Sequence, residues 1–123
     1  MKKRVAWLLV LCLIVLANTA FAANWVYVCQ DDTFGFPVYI DSESVVKDGD
    51  KLSFWWEIVE TDKTKNVWKI EATLASPRMY REIYDWGASG WRKVRAGSDH
   101  DKAITAALKY AKEGKDSGQK PTP

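Results

Sequence analysis

Residues 51–60, KLSFWWEIVE, alternate without a break. Leu52, Phe54, Trp56 and Ile58 share one parity; Lys51, Ser53, Trp55 and Glu57 share the other. Neighbouring side chains of a strand point to opposite faces. This stretch therefore demands a sheet with one apolar and one mixed face, and it forbids the adjacent tryptophans from sharing a side. The apolar parity predicts a core face carrying Trp56 and an outer face carrying Trp55. Residues 67–75 repeat the pattern, with Trp68, Ile70, Ala72 and Leu74 opposed to Val67, Lys69, Glu71 and Thr73.

Around these two segments the chain reads as further strands. Residues 24–30 (NWVYVCQ) are β-branched and aromatic, and 36–41 (FPVYID) are extended, with Pro37 near the start where a missing N–H does least harm. Asp48-Gly49 is a hairpin signal, and the Asp41 carboxylate is placed to accept from backbone N–H groups two or three residues on. Residues 78–86 and 91–95 are two more strands joined by GASG. The core face of 78–86 stays open, because Met79 and Ile83 compete with Tyr80, Tyr84 and Trp86, and a bulge would let both sets contribute.

After residue 95 the period changes. Ser98 is a helix N-cap with Asp99 and Asp101 in the first turn, where negative charge suits the helix dipole. Ile104, Ala107, Leu108 and Ala111 form one apolar stripe, Gly114 is the expected stop, and residues 114–123 read as a disordered polar tail. The expectation is an α+β domain: an antiparallel meander of about six strands with one C-terminal helix packed on the sheet.

The first residues bear on location. MKKR, an apolar run and a small-residue site at Ala20 and Ala22 form a signal-peptide pattern, with cleavage after Ala22 or Ala23. Residues 1–22 are then the signal, 23–113 a single domain and 114–123 the tail. Loss of Lys2, Lys3 and Arg4 takes the basic residues from 18 to 15 against 16 acidic ones, a net charge of −1. The basic balance of the whole chain belongs to its start, so nucleic acid is not an implied partner. No other stretch is long and apolar enough to span a bilayer.

One cysteine, Cys29, remains after cleavage. It shares parity with Trp25 and Tyr27, and it is either a buried small apolar group or half of an intermolecular disulfide. His100 is the only histidine and sits in the first helical turn, read as solvated. No catalytic constellation or metal-ligand spacing is visible, so the expectation is a non-enzyme with no metal and no cofactor. Haem is the one cofactor option, as a thiolate ligand at Cys29 or with its propionates against the arginines near Trp86 and Trp91, a patch that would equally suit an acidic polysaccharide or a partner protein. The binding or interface candidates are Trp55, Trp86, Trp91, Arg81 and Arg92. Trp86 and Trp91 flank the last turn beside Arg78, Arg81, Arg92, Lys93 and Arg95, a set that either pairs with acids such as Glu71, Glu82 and Asp85 or forms a basic aromatic patch. Trp55 on the outer face suits a dimer or a protein partner, in which case Trp55→Ser dissociates the dimer without unfolding it.

WVYV at 25–28, Tyr39-Ile40-Asp41-Ser42-Glu43-Ser44-Val45, the strand bearing Trp55, the Arg78-Met79-Tyr80-Arg81 run and Trp91 to Ser98 occur in an order and spacing that resemble the surface-adhesin protein E family, small exported proteins of Gram-negative bacteria. The resemblance covers roughly residues 24–111. On it, Tyr39, Asp41, Ser44, Arg78, Tyr80, Gly97 and Ser98 are family-motif positions with structural roles. It implies a sheet with a helix, a location in the periplasm or on the outer-membrane surface, and binding of host or extracellular macromolecules. The cysteines common in that family are absent from ATLAS and ALKYA, and Ala96 stands where a proline is usual.

Overall fold

The apolar parities of the two long strands meet. In the computed structural model, which describes residues 22–114 and 120–123, β4 (Lys51–Val59) and β5 (Lys65–Thr73) pair antiparallel with Leu52 opposite Ala72, Phe54 opposite Ile70 and Trp56 opposite Trp68. Trp55 lies opposite Lys69 on the other face. The signal-peptide reading of residues 1–22 falls, but for Ala22, outside the described residues.

The remaining elements are β1 (Trp25–Gln30), β2 (Pro37–Asp41), β3 (Val46–Asp48), β6 (Met79–Tyr84), β7 (Gly87–Ala88), β8 (Arg92–Lys93), α1 (Asp99–Leu108) and β9 (Lys112–Glu113). Strands run in the order β1-β2-β4-β5-β6-β7; β3 pairs with β4, and β8 pairs with β6. All pairs are antiparallel except β3–β9. The fold is thus α+β, an open antiparallel sheet with one helix among the described residues. It has nine strands rather than about six. The additions, β3, β7 and β9, are two or three residues long, too short to show a period.

Gly49 takes the first position of the β3–β4 turn at φ +60°, where a side chain would be strained. On β6 it is Tyr80, Glu82 and Tyr84 that face inward, with Tyr80 opposite Ala72 and Glu82 opposite Ile70. The chain therefore sends a carboxylate to a face otherwise built of rings and aliphatics. In β1 a bulge between Tyr27 and Cys29 shifts the register from Tyr27–Tyr39 to Cys29–Val38. Cys29 leaves the parity of Tyr27 and joins the core, 8% exposed and unpaired.

Ser98 caps the helix, accepting from the Asp101 N–H at 3.2 Å. Gly97, at φ +76°, turns the chain into that cap and donates its N–H to the Asp101 carboxylate. Arg78 reaches the other Asp101 oxygen at 4.0 Å. Ala103, Ile104 and Ala107 are fully buried. The helix ends at Leu108 with Lys109 as its cap. Gly114 is not its stop, because the chain first makes β9 beside β3. Lys120 and Thr122 contact the outer face: the Trp25 indole donates to the Thr122 carbonyl at 2.9 Å, Lys120 pairs with Asp85 at 3.6 Å, and Pro121 between them is buried. Of the tail read as disordered, residues 115–119 lie outside the described residues.

Asp41 ties the start of the sheet together. It is fully buried, and its Oδ1 accepts from the N–H of Asn24 at 2.9 Å and of Glu43 at 3.1 Å. The Ser44 hydroxyl donates to the Asp41 carbonyl and accepts from the Trp55 N–H. Asp41→Ala leaves two N–H groups without an acceptor. It should lower stability by about 1.5–3 kcal/mol in urea unfolding, the range for bonds to a charged group. Asp41→Asn, which keeps an acceptor oxygen, should recover part of that loss.

A half-covered sheet face and the His100 cluster

A ten-residue helix is roughly 15 Å long and 10–12 Å wide, whereas six strands spaced about 4.8 Å apart span roughly 24 Å. The helix packs chiefly on β1, β2 and β4, so the inner face over β5 and β6 is left open beside its N-terminus. His100 stands at that boundary. Its side chain is only 15% exposed, so the expectation of a solvated histidine is wrong. The first helical turn leans onto the sheet instead of into water.

The imidazole is sandwiched between Tyr80, at 4.0 Å between ring centres, and Trp56, at 4.6 Å, each within 20° of parallel. Trp56 contacts Trp68 at 5.5 Å, Trp68 contacts Tyr84 at 5.7 Å, and Tyr84 stacks on Trp86 at 4.8 Å. Six rings thus run in series from the buried centre to Trp86, which is 84% exposed. Such contacts add to the apolar burial of each ring.

Polar groups close around the same histidine. Nδ1 lies 2.7 Å from the Asp99 carboxylate and Nε2 lies 3.6 Å from that of Glu82. The Tyr84 hydroxyl donates to the other Glu82 oxygen. Asp99 accepts the Asp32 N–H at 3.0 Å, and Asp32 accepts the Asp99 N–H at 3.0 Å, binding the 31–36 loop to the helix start. Arg95 pairs with Asp32 at 3.4 Å. Burial works against the imidazolium, but the close Asp99 carboxylate and the charge of Glu82 outweigh it and raise the His100 pKa. Burial likewise opposes ionisation of Glu82 and Asp99, and the facing His100, with the Tyr84 hydroxyl for Glu82 and the Asp32 N–H for Asp99, brings both below the usual carboxylate value. Burial and the Glu82 carboxylate push the Tyr84 phenol up.

Two depressions adjoin the cluster and share Thr33, Glu82, Asp99 and His100. One, of about 420 Å3, is polar, with Asp32, Arg92, Lys93 and Arg95 in its lining. The other, of about 330 Å3, is lined by Phe34, Phe36, Trp56, Ile58 and Trp68 with Asp31, Glu60 and Asn66 also in its lining. Phe34 and Phe36 stack at 5.4 Å. The indole N–H groups of Trp56 and Trp68 have no acceptor among the described residues.

The residues singled out in the sequence fall in three places. Tyr80 and Arg92 belong to the cleft, Tyr80 as one side of the histidine sandwich. Trp86 ends the ring series on the same face. Arg81 and Trp91 lie on the outer face, where the guanidinium sits 4.8 Å over the Trp91 ring and pairs with Glu71 at 3.2 Å. The basic aromatic patch is therefore divided: the two flanking tryptophans lie on opposite sides of the sheet. Trp55 is half-buried on the outer face, and Tyr39 makes an edge contact there with Tyr27 at 5.8 Å. Burial raises the Cys29 thiol pKa, the condition of an unreactive group.

Sequence reasoning missed His100, Glu82, Asp99 and the 31–36 loop as one cluster. The readable signal was Glu82, an acid between two tyrosines on an inward parity. Among the described residues no group of His, Cys, Asp and Glu is arranged to hold a metal ion. Comparison of the chain with family models, with curated proteins and with solved structures returns no match.

Proposed function

We propose that this chain is a small exported binding protein without catalytic activity, and that it binds through the uncovered half of its inner sheet face. The observation that carries this reading is the ring series, which leads from His100 and Trp56 at the edge of the helix, across Trp68 and Tyr84 on strands the helix does not cover, to the exposed Trp86. A contiguous apolar surface beside fixed polar groups is the usual form of a ligand site. The signal-peptide pattern and the resemblance to surface-adhesin protein E support export to the periplasm or the outer-membrane surface, with host or extracellular macromolecules as partners. A non-catalytic role is supported by the state of His100. Both of its nitrogens face carboxylates, which raise its pKa and so leave it less available as a general base.

Protease treatment of intact cells, with lysed cells as control, separates surface from periplasm. Purified protein is then applied to immobilised matrix proteins. Trp86→Ser should reduce retention on any that bind by on the order of tenfold, the effect of losing about 1.4 kcal/mol, while Trp55→Ser leaves it unchanged. Equal loss from both variants would remove the inner face from consideration. A second reading, an accessory protein that assembles through its outer sheet face, is favoured by the Arg81–Trp91 stack and half-buried Trp55 there. In that case Trp55→Ser lowers the mass in sedimentation from dimer to monomer.

A further inference from the structure

The two depressions at His100 differ in charge. Arg92, Lys93 and Arg95 all belong to the lining of the polar one, where Arg95 pairs with Asp32 and the charge of Arg92 acts on Glu82. The apolar one has no lysine or arginine in its lining, yet it has four carboxylates: Asp31, Glu60, Glu82 and Asp99. His100 is its single basic group, and that imidazole already faces both Glu82 and Asp99. Asp31 is spent on neutral donors, the N–H groups of Thr33, Phe34 and Phe36, which order the 31–36 loop and set no cation against its charge. The Glu60 carboxylate has no partner among the described residues. Ile58 lies opposite Asn66, and Glu60 stands two residues further along the same parity of the chain. Rings of Phe34, Phe36 and Trp68 supply other parts of the wall, and Phe34 is 73% exposed. The negative face of an aromatic ring attracts a cation.

We propose that the apolar lobe takes a small organic cation, an ammonium or guanidinium on a flat apolar body, with the body against Phe34, Phe36 and Trp68 and the charge facing Glu60 in the field of Asp31. This rests on the inner face being the binding face, and it adds the class of ligand that the face selects. Four carboxylates stand in the lining against one imidazole. A neutral body therefore gains only the rings, an anion meets repulsion, and a cation gains from rings and carboxylates together. The lobe, about 330 Å3, sits at the lower end of the range of roughly 300–1,000 Å3 for small-molecule sites. It fits a two-ring body, and the rings of its walls favour a flat one. Glu60, with its oxygens unspent, is the group able to make a charge-assisted bond to the ligand.

The test is a calorimetric and amide-shift titration of the mature protein at neutral pH with three probes on one naphthalene frame: 2-naphthylmethylammonium, 2-naphthalenemethanol and 2-naphthalenesulfonate. The ammonium should bind most tightly, on the order of tenfold above the alcohol, or about 1.4 kcal/mol. The sulfonate should bind least. Shifts should map to Phe34, Phe36, Glu60 and Trp68. Glu60→Gln should bring the ammonium down to the alcohol without changing the alcohol. Asp48→Asn, at an exposed acid of the β3–β4 turn outside the lobe, makes the same change in net charge and should alter none of the three. Phe34→Ser, at an exposed residue, should weaken all three alike. Equal affinity for the three probes, preference for the sulfonate, an ammonium affinity unchanged in Glu60→Gln, shifts confined to the outer face, or no saturable binding would each overturn the proposal. Retention on matrix proteins that persists and remains sensitive to Trp86→Ser in any of those cases would leave the binding face standing and remove only this ligand class.

Discussion

Trp56→Ala should lower the free energy of unfolding by about 3–5 kcal/mol, the range for deleting a large aromatic from a packed core. Trp56 is 1% exposed and contacts both Trp68 and His100. Its loss removes apolar burial, opens a cavity under the helix start and takes away one side of the histidine sandwich. Domains of this size have a total stability of about 5–15 kcal/mol, so the variant should be partly unfolded at 37 °C. Trp55→Ala should cost less than half as much, because that ring is half-buried on the outer face. Urea unfolding followed by far-ultraviolet dichroism measures both. A reversed order would mean that the faces of β4 had been exchanged.

Asp99→Ala is the second large effect, about 3–5 kcal/mol, as for removal of one member of a buried ion pair. It leaves the Asp32 N–H without its acceptor and the histidine with Glu82 alone, so the 31–36 loop should loosen from the helix as well. The pH dependence has a determined sign. The His100 pKa is raised on folding, so its contribution is fully present below about pH 6.5 and is lost as pH rises through the folded value. The Asp99 and Glu82 values are lowered, so theirs is present above about pH 4 and is lost as pH falls through the folded values. Stability should therefore be greatest between about pH 4.5 and 6.5. Tyr80, Tyr84, Arg92, Asp31 and Asp32 also surround the cluster. In Asp99→Asn the decline above pH 6.5 should flatten, because one of the two groups that raise the histidine is gone. An unchanged alkaline slope would mean that Glu82 alone sets the His100 value.

Strict alternation made β4, β5 and their core faces legible, since a period-2 pattern admits one register between two apolar faces. The Ser98 cap and the Asp41 turn were legible because each needs only a side chain and backbone groups two or three residues away. Residues of the site come instead from β4, β5, β6, the 31–36 loop and the helix start. Nothing in the order of residues says that a ten-residue helix will stop short of β5 and β6. That follows from the width of the sheet and from the helix ending at Leu108. His100 was misread for the same reason: a first-turn position is solvated by default, and only the tilt of the turn onto Tyr80 and Trp56 buries it. Arg81 and Arg92 looked like one patch because both lie on paired strands. Their facing differs, and strand order alone does not show it.

The bulge in β1 has a bearing on inheritance. The exposure of the domain's one thiol depends on a count of residues, not on the identity of any neighbour. Loss of one residue between Tyr27 and Cys29 would carry the sulfur back to the solvent side of an edge strand, where two molecules in an oxidising compartment could join. A lineage with this chain can substitute the exposed side chains of the strand without moving the sulfur. It cannot shorten the strand by one residue without acquiring new redox chemistry.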